Sequence, residues 1–209
     1  MEYVKRGENH RDKLKRWLDA GARLVYDGKI FRLYEQPVIF KNPETGKEET
    51  QIYELVERRD AAHVLAEKDG KIWMALQVQF GYPKPFYAPF GGFVDNKEKP
   101  DVAALREMLE EGGFESDEIF PIGELSPQNS MAWTEYYFYA KNCRKVANQK
   151  LDAAEQQMTL IAMPPKKFMK EMLFNPNFRA ADDLKHLLLS QPAAADVARF
   201  IGMFDRTKS

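Results

Sequence analysis

The stretch GFVDNKEKPDVAALREMLEEGGF, residues 92–114, decides how the rest of the chain is read. Pro100 is a residue favoured in the first turn of a helix, and the pair Gly112 and Gly113 ends one, so a helix is predicted from near Pro100 to the two glycines. On that helix Glu107, Glu110 and Glu111 stand at i, i+3 and i+4, which puts three carboxylates on one face. Like charges crowded in this way repel, and a hard divalent cation is the natural compensation, since Mg²⁺ takes oxygen ligands and keeps several waters. Three glutamates alone are more often a solvated helix face than a metal site. The fixed places of Gly92, Glu98, Arg106, Gly113 and Phe114 around them are what set this run apart.

Outward from the run, AHVLAE and KIWMALQVQ are β-rich and joined by Lys68, Asp69 and Gly70, which predicts a hairpin. From Arg23 to Glu57 come LVYD, KIFRLYEQPVIF and TQIYELVE, punctuated by Asp27-Gly28 and KNPETGK, the pattern of a small antiparallel sheet. Before it, Asn9 to Ala20 carries Leu14, Trp17 and Leu18 at helical spacing, with Gly21 where a left-handed cap belongs. Past the run, strands are expected around Ile119 to Leu125, Trp133 to Ala140 and Gln157 to Met163. Helices are expected over Pro165 to Leu173, over Ala181 to Leu189 and over a last segment with Val197, Phe200, Ile201 and Phe204 on one face. The mixture reads as α+β or a mixed α/β sandwich.

At 209 residues the chain fits one domain with an appendage or two small domains. Hydrophobic residues at 44% and charged residues at 30% exclude a disordered or membrane-embedded chain. A formal net charge of -1 gives no global field for nucleic acid or an anionic membrane, so neither is expected as a partner. The N-terminal stretch lacks the apolar core of a secretory signal, and no later run is long and apolar enough to span a bilayer. Cys143 is the single cysteine, so no intrachain disulfide forms, and a reducing, cytoplasmic setting is expected. It reads as a small buried hydrophobe. His10, His63 and His186 are scattered without ligand spacing.

The run resembles the signature of the Nudix family, G-x5-E-x7-R-E-U-x-E-E-x-G-U with U a bulky apolar residue. Gly92, Glu98, Arg106, Glu107, Met108, Glu110, Glu111, Gly113 and Phe114 match every specified position. A chance match in such a chain is on the order of one in ten million. The resemblance implies an α/β/α sandwich with a mixed sheet, a small N-terminal helix and β-rich segment over residues 1–58, and a Nudix domain with C-terminal helices over residues 59–209. It implies Mg²⁺ as cofactor, with Mn²⁺ as an alternative, held by Glu107, Glu110, Glu111 and the Gly91 carbonyl. Gly92, Glu98, Arg106 and Gly113 would be structural. The reaction implied is attack of water on one phosphorus of a pyrophosphate, with Glu110 and Glu111 in the catalytic set. Glu155 is the expected base, or Asp152 in its place.

The β-rich segment before the core, LQVQFGYP before the run and ELSPQNSMAWTEYYFYAKN after it resemble the branch of the family that hydrolyses ADP-ribose and other nucleoside diphosphate sugars. In that branch the N-terminal segment builds a homodimer and part of the substrate pocket, which makes a homodimer and a small nucleotide substrate the expected partners. Arg59, Gln79 and Ser126 are the candidate substrate contacts. Two departures bear on specificity. Gly81 and Tyr82 stand where those enzymes usually carry an arginine, and Ala88 stands where they have a glutamate. Nucleoside triphosphates or dinucleoside polyphosphates are the alternative substrates, and a non-catalytic nucleotide-binding module is the alternative from another class.

Overall fold

The computed structural model describes residues 4–151 and 157–189. In chain order these form β1 (Val4–Arg6), α1 (His10–Asp19), β2 (Arg23–Asp27), β3 (Phe31–Lys41), β4 (Glu48–Arg58), β5 (Ala61–Lys68), β6 (Lys71–Gln77), β7 (Phe86–Ala88) and β8 (Phe90–Phe93). Then follow α2 (Pro100–Gly112), β9 (Phe114–Glu115), β10 (Glu118–Leu125), β11 (Met131–Ala132), β12 (Glu135–Lys141), β13 (Arg144–Lys145), β14 (Thr159–Met163), α3 (Pro165–Phe174) and α4 (Ala181–Leu189). The expected last segment with Val197 and Phe204 lies outside the described residues.

The chain divides into two compact units. The first comprises Met1–Lys5, Ala61–Glu124 and Tyr136–Ser209, and the second Arg6–Asp60 and Leu125–Glu135. A division at residue 58 follows chain order, whereas the contacts also give Leu125–Glu135 to the N-terminal unit. The reason is visible in that unit's own bonding. Met131 and Ala132 of β11 pair in parallel with Val56 and Glu57 of β4. Lys13 Nζ donates to the carbonyls of Pro127 at 2.7 Å and Met131 at 2.9 Å.

The N-terminal unit is a sheet ordered β11-β4-β3-β2, with β3 and β4 paired antiparallel over their full length from Phe31↔Arg58 to Lys41↔Glu48. Helix α1 differs from the simple amphipathic reading. Leu14 and Trp17 do pack on the Tyr34, Leu55 and Ala132 cluster, but Leu18 is exposed, and the buried positions of the helix are His10 and Lys13. Burial is tolerable for both because each is bonded. The Lys13 ammonium satisfies two carbonyls, and its pKa is lowered, mainly by burial. His10 Nδ1 lies 2.9 Å from Asp60 Oδ1, which in turn accepts from the Thr134 N–H at 2.7 Å.

In the other unit the described strands form an eight-stranded sheet ordered β1-β10-β12-β5-β6-β14, with β8 beside β5 and β7 beside β6. The β5–β6 hairpin turns through Asp69 and Gly70 at φ 55 and 70, the left-handed pair that a two-residue loop demands. Alternation along the strands sends side chains to two faces. Ala62, Val64, Ala75 and Phe138 join Ala103, Ala104 and Met108 of α2 in one core. On the opposite face, Tyr137 stacks on His63 at 5.0 Å, and its hydroxyl donates to Asp183 of α4 at 2.5 Å. Helices thus cover both faces, and the unit is the α/β/α sandwich with a mixed α+β composition that the sequence implies. Cys143 is buried in the α2-side core, and burial pushes its thiol pKa up to about 12, so it packs rather than reacts.

Candidate active site

Helix α2 starts with Pro100 at its first turn and stops at Gly113, which takes the left-handed conformation at φ 62 while its N–H bonds to the Leu109 carbonyl at 2.8 Å. A Cβ at Gly113 would lie 2.9 Å from the carbonyl carbon of Ala147, so glycine is required twice over. The loop after β13 is fastened to this end of the helix. Val146 N–H donates to the Gly113 carbonyl at 2.9 Å, Lys145 Nζ to the Gly112 carbonyl at 2.6 Å and Lys150 N–H to the Glu110 carbonyl at 2.8 Å.

Arg106 spends all five of its N–H groups on this segment. Nε donates to Glu98 Oε1 at 3.0 Å, and Nη2 to Glu98 Oε2 at 3.1 Å and to the Phe93 carbonyl at 3.0 Å. Nη1 donates to Glu107 Oε1 at 2.7 Å and Glu110 Oε2 at 3.2 Å. The bidentate pair with Glu98 ties the loop before α2 to the helix. Glu98 also accepts from the Asp95 N–H at 3.0 Å, so the loop is closed on itself. The hydrogen bonds from Arg106, ahead of those from Asp95, hold the Glu98 carboxyl below its usual range. The same pairing, Glu98 first and then Glu107, raises the Arg106 pKa above its ordinary value.

Glu111 is only 2% exposed, and its Oε2 accepts from the Gly91 N–H at 2.8 Å. Gly91 and Gly92 sit on β8 opposite His63 and Ala62 of β5. A Cβ on Gly92 would come within 2.7 Å of Glu107 Cδ, so the strand passes this close to the helix only because residue 92 has no side chain. Of the two helix glutamates paired with Arg106, Glu110 is the more accessible, its side chain 41% exposed against 13% for Glu107.

The donor set is all oxygen, and one guanidinium faces three carboxylates while Glu111 accepts from a neutral amide. Among the described residues, no three His, Cys, Asp or Glu side chains already converge as a complete metal cage. Glu107 and Glu110 turn to Arg106, and Glu111 turns to Gly91. A small hard cation that keeps several waters and takes part of its shell from phosphate oxygens needs no such cage, so the residues present fit Mg²⁺ by donor chemistry.

The remaining candidates are dispersed. Glu155 and Asp152 lie outside the described residues. Gln79 is exposed on the loop after β6, where its Oε1 accepts from Arg179 Nη1 at 3.5 Å. Arg59 is exposed in the N-terminal unit. Ser126, in that same unit, is 8% exposed, and its hydroxyl shares a hydrogen bond with Thr134 at 3.0 Å. Arg58 is engaged in an ion pair with Glu135 and lies 4.6 Å from the centre of the Trp133 ring. The Phe93 carbonyl and the Gly91 amide are parts of the site that sequence reasoning did not assign to these bonds. The spacing of two glycines before an acidic helix signals close approach but not which backbone group bonds which carboxylate.

Residues 56–184 match the model of the NUDIX domain family. A CMP-5'-(N-acetyl-N-hydroxy-3-aminopropyl)phosphonate hydrolase of Streptomyces rubellomurinus is 25% identical over 150 residues, covering 69% of this chain and 68% of that protein. An ADP-ribose pyrophosphatase of Bacillus subtilis is 30% identical over 99 residues, which cover 47% of this chain and 51% of that protein, about half its length. A solved structure described as an ADP compounds hydrolase superimposes with a TM-score of 0.65 at 18% identity, over 89% of this chain and 94% of that one, a likeness of fold.

Proposed function

The chain belongs to the Nudix family, and from that premise we propose that this pyrophosphate-bond hydrolase is Mg²⁺-dependent and cleaves a nucleoside diphosphate sugar, ADP-ribose included, to a nucleoside monophosphate and a sugar phosphate. The observation that carries the reading is the buried Glu111 carboxylate held by the Gly91 amide beside Glu107 and Glu110 on Arg106. Glu107, Glu110, Glu111 and the Gly91 carbonyl would hold the metal, with Mn²⁺ able to replace Mg²⁺. When bound, the ion neutralises diphosphate oxygens and lowers the pKa of the attacking water. Arg106 and Glu98 keep the carboxylates oriented, as outer partners of metal ligands do. Water adds to one phosphorus, the bond to the bridging oxygen breaks, and the water's proton passes to a carboxylate base. Glu155 is the proposed base.

A second substrate reading has its own support. The Streptomyces relative, whose name gives a CMP-linked phosphonate as substrate, is aligned over more of this chain than the ADP-ribose pyrophosphatase. A substrate panel separates the two. ADP-ribose, other nucleoside diphosphate sugars, a CMP-phosphonate anhydride, nucleoside triphosphates and dinucleoside polyphosphates are each incubated with Mg²⁺ and the products resolved by chromatography. The highest kcat/KM is expected for a nucleoside diphosphate sugar, and preference for a triphosphate would overturn the proposal.

The assembly proposed is a homodimer built on the N-terminal unit. Its sheet exposes Leu24, Tyr26, Ile39, Ile52 and Tyr53, each 46–67% exposed, apolar side chains that a second copy would cover. Sedimentation at micromolar concentration is expected to give twice the chain mass; a monomer alone contradicts it. A cytoplasmic setting is proposed from the single buried thiol, and no helix among the described residues is long and apolar enough to cross a membrane.

A further inference from the structure

Residues 177–179 lie against β7 as a short strap. Tyr87 N–H donates to the Asn177 carbonyl at 2.8 Å, Arg179 N–H donates to the Tyr87 carbonyl at 2.7 Å, and Tyr87 bridges Phe178 in parallel. Phe178 anchors the strap in the core, 5% exposed and edge-on to Phe168 at 5.7 Å. The backbone of Arg179 is therefore fixed while its side chain stands in water. Its guanidinium lies 5.9 Å from the centre of the Phe86 ring, and its polar contact, to Gln79 Oε1 at 3.5 Å, is long and neutral.

Arg16, Arg23, Arg32, Arg58, Arg106 and Arg144 each pair with a carboxylate. Among the described residues Arg179 has no such partner. The loop between β6 and β7 that it touches also leaves Phe80 103% and Tyr82 50% exposed, with Tyr82 tilted against Phe86 at 4.6 Å. That loop feeds β7, which passes through Pro89 into β8 and the Gly91 amide on Glu111. Around that amide the protein presents Glu98, Glu107, Glu110 and Glu111 against Arg106. A diphosphate arriving there meets net negative charge, and a guanidinium on the strap beside β7 can donate to two of its oxygens in a bidentate bond.

We propose that Arg179 is a substrate-binding residue whose guanidinium donates to phosphate oxygens of a nucleoside diphosphate. The proposal rests on the nucleoside diphosphate reading above and adds a recognition element that lies about 80 residues along the chain from the start of α2, so no local motif contains it. The probe is α,β-methylene-ADP, a diphosphate that cannot be cleaved at its bridge, titrated in Mg²⁺ into the wild type, Arg179→Ala and Arg179→Lys. Losing a charge-assisted bond should weaken binding by about ten- to a hundredfold in the alanine variant, with partial recovery in the lysine variant. Thermal unfolding should not move, because the side chain is exposed, and with the preferred substrate KM should rise while kcat changes little.

Binding by Arg179→Ala within twofold of the wild type overturns the inference, as does a wild type that does not bind the probe. If the wild type turns over no nucleoside diphosphate sugar while the alanine variant still loses affinity, the substrate assignment fails and the role of Arg179 stands.

Discussion

Glu111→Gln is expected to lower turnover by about a thousandfold or more, some 4 kcal/mol of transition-state stabilisation, while the protein still folds. Glutamine keeps a carbonyl oxygen that can accept from the Gly91 N–H, so the contact between β8 and α2 survives. What it loses is the charge at a position 2% exposed, where a cation would be least screened by water. The amide's N–H₂ in place of the second oxygen should cost about 1–3 kcal/mol of stability if it finds no acceptor. Steady-state kinetics in saturating Mg²⁺ and thermal unfolding separate the two effects. Unchanged turnover would remove Glu111 from the catalytic set.

The second large effect is expected for Arg106→Ala, which should destabilise the protein by about 1.5–3 kcal/mol and cut activity with it. The side chain is 30% exposed, so the figure is reduced from that of a fully buried pair. Removal leaves Glu98 and Glu107, with side chains 14% and 13% exposed, without the guanidinium. Lysine should not restore the loss, because one ammonium cannot span Glu98, Glu107, Glu110 and the Phe93 carbonyl together. The pH dependence has a definite sign. Glu98 has a folded pKa below its ordinary value of 4.5, chiefly through its hydrogen bonds to Arg106. Its contribution is therefore fully present above 4.5 and is lost as pH falls through the lowered folded value. Denaturant unfolding of wild type and variant should show a gap at neutral pH that narrows below about 4.5; a gap that is constant with pH would mean that the ion pair is not its source.

Local chemistry made the run from Gly92 to Phe114 legible. Pro100 and the two glycines mark the ends of α2, and i, i+3, i+4 spacing places the three glutamates, because helix geometry is short-range. The hairpin at Asp69-Gly70 and the long β3–β4 pair were readable for the same reason. Contacts between segments distant in sequence were not. Leu125–Glu135 belongs with the N-terminal unit through Lys13 and β4, and nothing in its own composition announces that. Nothing local marks His10 and Lys13 for burial, which partners more than 100 residues away permit. Arg179, from the turn between α3 and α4, contacts Gln79 100 residues away, which no local pattern announces. The run from Gly92 to Phe114 thus carries the family signature in local sequence, whereas the proposed substrate contacts come from segments distant along the chain.

The most direct test of the metal-dependent pyrophosphohydrolase reading is hydrolysis of ADP-ribose in Mg²⁺, with and without a chelator, followed by chromatographic identification of products. The expected result is AMP and ribose 5-phosphate in Mg²⁺ and no product above background in chelator, restored by Mg²⁺ or Mn²⁺. Hydrolysis that persists at the same rate in chelator would contradict it.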